Sequence, residues 1–497
     1  MDDIRYRLLE GIAVELRSRI IPELTSAEAR RAAEVSLVFL RHLGVEAADG
    51  PGLVGAAQPD LLQAARDLVS VLAERGEGAT AAFRGRLDDL SQADVAGDAA
   101  GPGAAIDRIG PLRELHADLI RAVGQAEVTA GAERLRESAC AEARWSRGVR
   151  AIQIQAAALP DAALPDAPSG QDRLTPDVLT GVLRRHFPDD ERLRSTEIVA
   201  PPAGYSKATV FVTLESDGSL PEKVVLRQDA VVDYFGIGTS VRDEEPVLRM
   251  LCDHGLPVPD PVMLEPGETE LGPAFMLTKL LPGSLAGLRS TWSAGGTREV
   301  VEDVARLLAK LHSVDVSGLP LPNAGDDLGS ERFQALVETY ADQWRQNVVE
   351  PSPITEYALA WLANEARAGG VEARSLVHGD VGPHNMLIQD GRLTGLADWE
   401  LMHLGDPAED LAYFRPAAEH LMSFEEFLAV YYEAGGQPVD ERRLKIFSVT
   451  TNVRNNGYVA ACSRRFKDQG KPLPVGAIGF NALRVNEVLI ADALDLH

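Results

Sequence analysis

Three polar side chains close to residue 390 have the types and spacing that phosphoryl transfer requires. Asp380 is followed five positions later by an amide, Asn385, and thirteen positions after that by a second carboxylate, Asp398. Transfer to a hydroxyl needs one carboxylate that orients the hydroxyl and accepts its proton, and an amide and another carboxylate that hold Mg²⁺ against nucleotide phosphates. The spacing therefore predicts Asp380 as the base, Asn385 and Asp398 as metal ligands, and ATP and Mg²⁺ as cofactors.

The segment between the two predicted metal ligands is typical of a β-hairpin. Residues 386–388 and 392–397 are mainly apolar, and Gln389-Asp390-Gly391 lies between them. Asp-Gly is a strong signal for a tight hairpin turn. The hairpin is expected to return Asp398 to a position beside Asn385.

The residues around these three resemble one family of enzymes. The matching residues are His-Gly-Asp at 378–380, Asn385, Asp-Trp-Glu at 398–400, Gly-Asp-Pro at 405–407 and Asp-Leu-Ala at 410–412. Their order and spacing resemble the aminoglycoside phosphotransferase and choline kinase superfamily of small-molecule kinases, and are most similar to the kinase-like domains fused to some acyl-CoA dehydrogenases. The resemblance implies an α+β, bilobal protein-kinase-like fold with a small β-sheet N-lobe and a helical C-lobe.

The resemblance also implies residues that hold the nucleotide phosphates. Gly204 and Ser206 lie in a turn before the predicted strand 210–214, where a kinase fold offers backbone N–H groups to phosphate. On its own this turn would be predicted as an ordinary hairpin. Only the spacing of Asp380, Asn385 and Asp398 further along the chain favours a phosphate-binding role for it. The next strand, 223–227, places Arg227 where a kinase has a lysine; a surface position at the strand end is the alternative.

The partner of Arg227 is expected in the following helix, and the adenine site at the hinge between lobes. Glu244 is the predicted partner and Glu245 the near alternative, although either could be a first-turn acid that favours the helix dipole. The apolar strand 274–281 runs into a Pro-Gly turn. The resemblance makes this the hinge, with Lys279 and Leu280 contacting adenine.

Composition excludes several classes of protein. A formal charge of −26 argues against nucleic acid or an anionic membrane surface as a partner. The three cysteines are isolated, which favours neither a disulfide framework nor a zinc site. The first twenty residues contain no apolar core of a signal peptide, and no run of about 18 to 20 apolar residues could cross a bilayer. We expect a cytoplasmic protein.

The chain of 497 residues is long enough for two or three domains. Residues 1–150 show helical periodicity and predict an all-α domain of about five helices, through which the protein could form a homodimer or bind a protein partner. Residues 151–173 form a Pro/Ala-rich linker. Residues 174–283 are predicted as the N-lobe with its hinge, and 284–497 as the C-lobe with the catalytic and substrate sites; the acceptor pocket is expected within 330–372 and 417–468.

The sequence supports two hypotheses for function. The first is an ATP- and Mg-dependent phosphotransferase that acts on a hydroxyl of a small molecule. The nearer resemblance suggests a hydroxyacyl-CoA or hydroxy acid as acceptor, and the wider family an aminoglycoside or amino alcohol. The alternative is a nucleotide-binding pseudokinase whose helical N-terminal domain is a protein-interaction module. Arg227 and the glycine-poor turn favour the alternative, whereas the intact Asp380, Asn385 and Asp398 oppose it.

Overall fold

The chain forms two compact units, each built from separated segments of sequence. The computed structural model describes residues 16, 21–23, 27–74, 80–92, 109–125, 131–157, 174–199, 207–229, 239–267, 271–288, 291–292, 295–315, 317, 330–371, 375–469 and 473–497. The first unit, here the helical unit, comprises Met1–Asp166, Gln334–Ala368 and Ser448–His497. The second, here the α+β unit, comprises Ala167–Phe333 and Gly369–Phe447.

The helices and strands are numbered in chain order. The helices are α1 (Ala27–Glu74), α2 (Thr80–Gln92), α3 (Gly110–Gln125), α4 (Ala132–Ala157), α5 (Pro176–His186), α6 (Val241–Asp253), α7 (Arg298–His312), α8 (Ser330–Asn347), α9 (Pro353–Ala368), α10 (Ala408–Ala418), α11 (Phe424–Glu433), α12 (Glu441–Gln469) and α13 (Leu473–Ala493). The strands are β1 (Arg194–Val199), β2 (Ala208–Glu215), β3 (Lys223–Gln228), β4 (Pro261–Glu265), β5 (Phe275–Lys279), β6 (Ser284–Leu285), β7 (Gly287–Leu288), β8 (Thr291–Trp292), β9 (Ser375–Val377), β10 (Met386–Gln389), β11 (Arg392–Leu396) and β12 (His403–Gly405). Among the described residues, no helix is both long and apolar enough to cross a bilayer.

The helical unit has an apolar core that helices distant in sequence share. Leu61, Leu68 and Leu72 of α1 are fully buried because they recur on one face of the helix. They pack in one cluster with buried residues of α3 and α4, and Tyr357 of α9 packs against the same cluster. Segments 334–368 and 448–497 were predicted as parts of the C-lobe. In the structure they belong to the helical unit. The four-part domain division stays a proposal.

A buried group of charges lies inside the helical unit. The Arg113 guanidinium donates to Glu142 Oε2 at 2.9 Å and to Glu487 Oε1 at 3.2 Å. Arg113 is 2% exposed and both carboxylates are fully buried. Each charge therefore depends on its partners, since an unpaired ion in such a position is strongly destabilising.

The α+β unit contains a five-stranded antiparallel sheet with strand order β1-β2-β3-β5-β4. Along β2 the side chains alternate between the two faces. Val210, Val212 and Leu214 are buried against apolar residues of α5. Thr209 and Phe211 therefore lie on the opposite face, where Arg227 of β3 is the direct cross-strand partner of Thr209. The α+β class that the sequence predicts is confirmed.

Capping residues fix where the first two helices of this unit begin. Thr175 Oγ1 accepts a hydrogen bond from the Val178 N–H, with Pro176 at the first helical position. Ser240 and Asp243 form a capping box at the start of α6. The cap sets the rotation of the first turn of α6 and so the direction of Glu244, which is fully buried.

The predicted hairpin is confirmed as β10 and β11, which pair in antiparallel register. Asp390 and Gly391 at its turn have φ values of 53° and 73°. Both values are positive, as a two-residue type I′ turn requires.

Because a non-glycine residue at positive φ costs about 1–2 kcal/mol, we expect Gly391→Ala to lower the free energy of unfolding by about that amount. Urea denaturation of the full chain measures the change. The control is Gly85→Ala in α2, where a Cβ would meet nothing within 4 Å. That variant should be stabilised by about 0.5–1 kcal/mol. Equal effects of the two substitutions would contradict the turn assignment.

Candidate active site

Asp380 and Asn385 lie in one loop between β9 and β10, and their side chains are in direct contact. The Asn385 Nδ2 donates to the Asp380 backbone oxygen at 3.0 Å and to Asp380 Oδ2 at 2.9 Å. The Nε2 of His384 lies 3.1 Å from the same Oδ2. Since the amide nitrogen of Asn385 is used within the loop, its Oδ1 is the atom left to face a cation.

Asp410, in the first turn of α10, holds this loop through hydrogen bonds to its backbone. Its two carboxylate oxygens accept the backbone N–H groups of His378 and Gly379, each at 2.8 Å. Its Oδ2 also lies 3.2 Å from Nε2 of His312. Burial alone would raise the pKa of Asp410, but these hydrogen bonds and the nearby histidines hold it below the ordinary value. Asp410 therefore has an architectural role in holding the loop.

His378 also stabilises the loop, through hydrogen bonds of both ring nitrogens. Its Nδ1 accepts the Asp380 N–H at 3.2 Å, so its Nε2 carries the proton and donates to the Ala397 oxygen at 2.9 Å. The ring packs edge-on against Trp399, with centroids 4.6 Å apart. Complete burial lowers the pKa of His378 and favours this neutral form. His378 therefore has a structural role in the loop.

The hairpin places Asp398 close to the loop. The backbone N–H of the preceding residue, Ala397, donates to the backbone oxygen of Asn385 at 2.8 Å. Asp398 has a φ of 66°, a conformation that non-glycine residues rarely adopt and that clusters at functional sites. Its Oδ1 accepts from Nη2 of Arg227 at 2.7 Å. The sequence-predicted Asp380, Asn385 and Asp398 are thus brought to one place, together with Arg227.

Glu244 is paired differently from the prediction. Its Oε1 accepts from Nζ of Lys207 rather than from Arg227. Lys207 was not predicted as a site residue, although it is only two residues before Thr209, the cross-strand partner of Arg227. The alternative partner, Glu245, bonds to Arg249 one turn along the helix and is excluded from the cluster.

Arg227 and Lys207 are the cations of a compact charge cluster that also contains Glu244, Asp398 and Glu400. Glu400 Oε2 lies 3.7 Å from a nitrogen of each cation. Burial alone would lower the pKa of Arg227, but the three carboxylates raise it, so the guanidinium stays charged. Its Nε is buried and has no hydrogen-bond partner among the described residues. A buried donor of this kind fits a phosphate oxygen.

An apolar cleft of about 600 Å³ opens on the same face of the sheet. It is lined by residues of β1, β2, β3, the chain after β5, and β10, including Val199, Phe211, Leu280, Leu285 and Leu387. Phe211 is 41% exposed and Leu285 is 58% exposed. Large apolar side chains that share one exposed cleft indicate a ligand site.

Four other residues were predicted to bind the nucleotide, and the structure places only some of them near the cleft. Leu280 lines the cleft. The Lys279 side chain bonds to Asp260 Oδ2 at 2.6 Å. Gly204 and Ser206 lie outside the described residues.

The donor set at the loop suits magnesium. The described residues contain no group of three or more His, Cys, Asp or Glu side chains arranged to hold a metal ion. Mg²⁺ is commonly bound by one or two protein oxygen ligands together with substrate phosphates. Asn385 and Asp398 provide an amide oxygen and a carboxylate, which fits that mode.

The chain matches one family model and several curated proteins. Residues 197–447, about half of the chain, match the model of the phosphotransferase enzyme family. Acyl-CoA dehydrogenase family member 10 of Mus musculus is 27% identical over 219 residues, which are 42% of this chain and 19% of that protein. Family member 11 of Gallus gallus is 27% identical over 250 residues, 46% of this chain and 32% of that protein. The chain thus spans about a fifth to a third of the length of these relatives.

Among solved structures, a putative aminoglycoside phosphotransferase from Ralstonia eutropha JMP134 matches with a TM-score of 0.49 and 20% identity. The match covers 64% of this chain and 98% of that one. Choline kinase LicA from Streptococcus pneumoniae matches with a TM-score of 0.46 and 18% identity, over 63% of this chain and 99% of that one.

Proposed function

The chain belongs to the phosphotransferase enzyme family, and from that premise we propose that it transfers the γ-phosphoryl group of ATP, with Mg²⁺, to a hydroxyl of a small molecule. The observation that carries the proposal is the direct contact of Asp380 with Asn385, with Asp398 joined to the same loop through the Ala397 N–H. In this proposal the α+β unit has the bilobal, protein-kinase-like arrangement of the family.

Asp380 is the proposed base. Asn385 and His384 both contact its Oδ2, and these contacts fix the plane of the carboxylate. A carboxylate held in one orientation can accept a hydrogen bond from the acceptor hydroxyl and take its proton as the phosphoryl group arrives. The neutral His378 holds the Asp380 backbone N–H and so maintains the loop in this conformation.

The phosphates are proposed to bind between the loop and the cation cluster. Asn385 and Asp398 would hold Mg²⁺, which when bound neutralises charge on the phosphates. Arg227 keeps Asp398 in place through its Nη2 and offers the buried Nε to a phosphate oxygen. The turn containing Gly204 and Ser206 is proposed to cover the phosphates.

The apolar cleft is proposed to bind adenine, with Lys279 and Leu280 at the hinge. We expect Phe211→Ala to weaken ATP binding about threefold to tenfold, because the ring contributes apolar contact area that alanine lacks. Because the proposed contact of Phe211 is with adenine, which both ligands contain, the loss should be equal for ATP and adenosine in calorimetric titrations. The matched control is Tyr432→Ala, an exposed aromatic residue of α11 outside the cleft. Unchanged adenosine affinity in Phe211→Ala would contradict this use of the cleft.

The acceptor is proposed from two sources. The similarity to acyl-CoA dehydrogenase family members supports a hydroxyacyl-CoA or hydroxy acid, whereas the wider family supports an aminoglycoside or amino alcohol. The test incubates the full chain with γ-labelled ATP and a panel of these four compound classes, and identifies the labelled product by mass spectrometry. Labelled product with one class names the acceptor. Phosphate release or ATP binding without any labelled product, over a broad panel, would contradict the transferase proposal.

A further inference from the structure

We propose that Lys207 is a second phosphate-binding cation of the nucleotide site and that it, rather than Arg227, forms the ion pair with the glutamate of α6. The assignment rests on the proposed function, because it concerns the same nucleotide. It adds a residue that lies directly before β2, whereas the sequence predicts the phosphate-binding cation on β3.

Lys207 lies at the site because it directly precedes β2. Thr209 of β2 is paired with Arg227 of β3, and cross-strand partners lie on the same face of a sheet. Phe211 follows on the same face and lines the apolar cleft. Lys207 lies directly before β2, and its Nζ is 3.7 Å from Glu400 Oε2, which is also 3.7 Å from an Arg227 nitrogen. Lys207, Arg227 and the cleft are therefore on one side of the sheet.

The contacts of Lys207 show that it is built into the site. Its Nζ contacts both Glu244 Oε1 and the backbone oxygen of Thr239. Lys207 is 8% exposed and Glu244 is fully buried. A lysine and a glutamate are almost never buried to this degree unless they are paired. The capping box of α6 fixes the glutamate, and the glutamate fixes the ammonium group.

Arg227 forms a different close ion pair. Its Nη2 bonds to Asp398 at 2.7 Å, and Glu244 is bonded by Lys207. The two cations therefore have different partners. Lys207 pairs with Glu244 of α6, and Arg227 pairs with Asp398 after the hairpin. An ammonium is a compact point charge and a guanidinium is a planar fork of donors, and both groups bind phosphate oxygens.

Glu400 marks the place between the two cations where negative charge is stable. Its Oε2 lies 3.7 Å from Lys207 Nζ and 3.7 Å from an Arg227 nitrogen. Each distance is longer than a hydrogen bond, so the carboxylate is attracted to both cations without a close bond to either. Phosphate oxygens that approach Asp398 would meet the same pair of positive charges. The geometry thus provides two cations for a nucleotide, Arg227 on β3 and Lys207 directly before β2.

The test compares ATP with adenosine, because only ATP carries phosphate. In calorimetric titrations of the full chain, we expect Lys207→Met to weaken ATP binding by roughly tenfold to a hundredfold, as loss of a charge-assisted contact does. Adenosine affinity should not change. A purely structural role would weaken both ligands together. The control is Lys310→Met, which removes an exposed lysine of α7 and should leave both affinities unchanged.

A second variant covers the case in which Lys207→Met does not fold because Glu244 is left as an unpaired buried charge. Lys207→Met combined with Glu244→Gln removes both charges and should fold, with the same selective loss of ATP affinity. Lys207→Arg keeps the charge and should retain more ATP affinity than the double variant.

The outcomes separate the two proposals. If the unmodified chain binds ATP and the double variant binds ATP equally well, the assignment of Lys207 is overturned and the proposed function stands. If the unmodified chain binds neither ATP nor adenosine, the proposed function fails, and the assignment fails with it.

Discussion

Replacement of Asp380 by asparagine is expected to lower kcat for phosphoryl transfer by about 10²- to 10⁴-fold, the contribution of a well-placed general base. Asparagine keeps the shape of the side chain and can still accept the hydrogen bond from Asn385, but it cannot take a proton. ATP affinity should therefore stay within about twofold of the unmodified value. Steady-state transfer assays with the identified acceptor, together with ATP titrations, measure both quantities.

The matched control for this substitution is Asp390→Asn. Asp390 is exposed at the turn between β10 and β11 and has a φ of 53°, a conformation that asparagine adopts readily. That variant should keep full activity. Equal kcat values for Asp380→Asn and the unmodified chain would show that Asp380 is not the base.

The second large effect is expected at Asp410, which anchors the loop that carries Asp380. Asp410→Asn should lower the free energy of unfolding by about 3–5 kcal/mol, because a buried carboxylate with several hydrogen-bond donors is replaced by an amide. One amide group cannot accept the His378 and Gly379 N–H groups with both of its ends, since its nitrogen is a donor. Activity should fall with stability, because the loop loses its support.

The effect of Asp410 depends on pH in a defined direction. Its pKa in the folded protein is below the ordinary value of 3.8. The stability that its ionised form contributes is therefore present above pH 3.8 and is lost as the pH falls through the lower, folded-state pKa. Urea denaturation at several acidic pH values should show this slope in the unmodified chain and a smaller one in Asp410→Asn. Asp189→Asn, an exposed position in the turn after α5, is the control. A slope unchanged by Asp410→Asn would contradict the role of the carboxylate.

Local signals in the sequence were enough to predict much of the site. The Asp-Gly pair predicts the turn between β10 and β11, because few residues tolerate two successive positive φ values. Thr175 and Pro176 predict the start of α5, since the cap needs only residues within one turn. The short spacing from Asp380 to Asn385 places both side chains in one loop, where they are in contact.

Pairings between distant residues could not be predicted in the same way. Which cation pairs with Glu244 depends on the register of β2 and β3 and on the rotation of α6, and the structure shows Lys207 rather than Arg227. The bond from Arg113 to Glu487 joins residues 374 positions apart, because α13 belongs to the helical unit. Such buried ion pairs depend on packing of whole elements, and no local pattern of charges indicates them.

The most direct test of the nucleotide site is a calorimetric titration of the full chain with ATP, in the presence of Mg²⁺ and in the presence of EDTA, repeated with Asp398→Asn. We expect ATP to bind more tightly with Mg²⁺, and the advantage to be lost in Asp398→Asn, because that side chain is the proposed carboxylate ligand. Failure of ATP to bind the unmodified chain, or a magnesium advantage that persists in Asp398→Asn, would contradict the account.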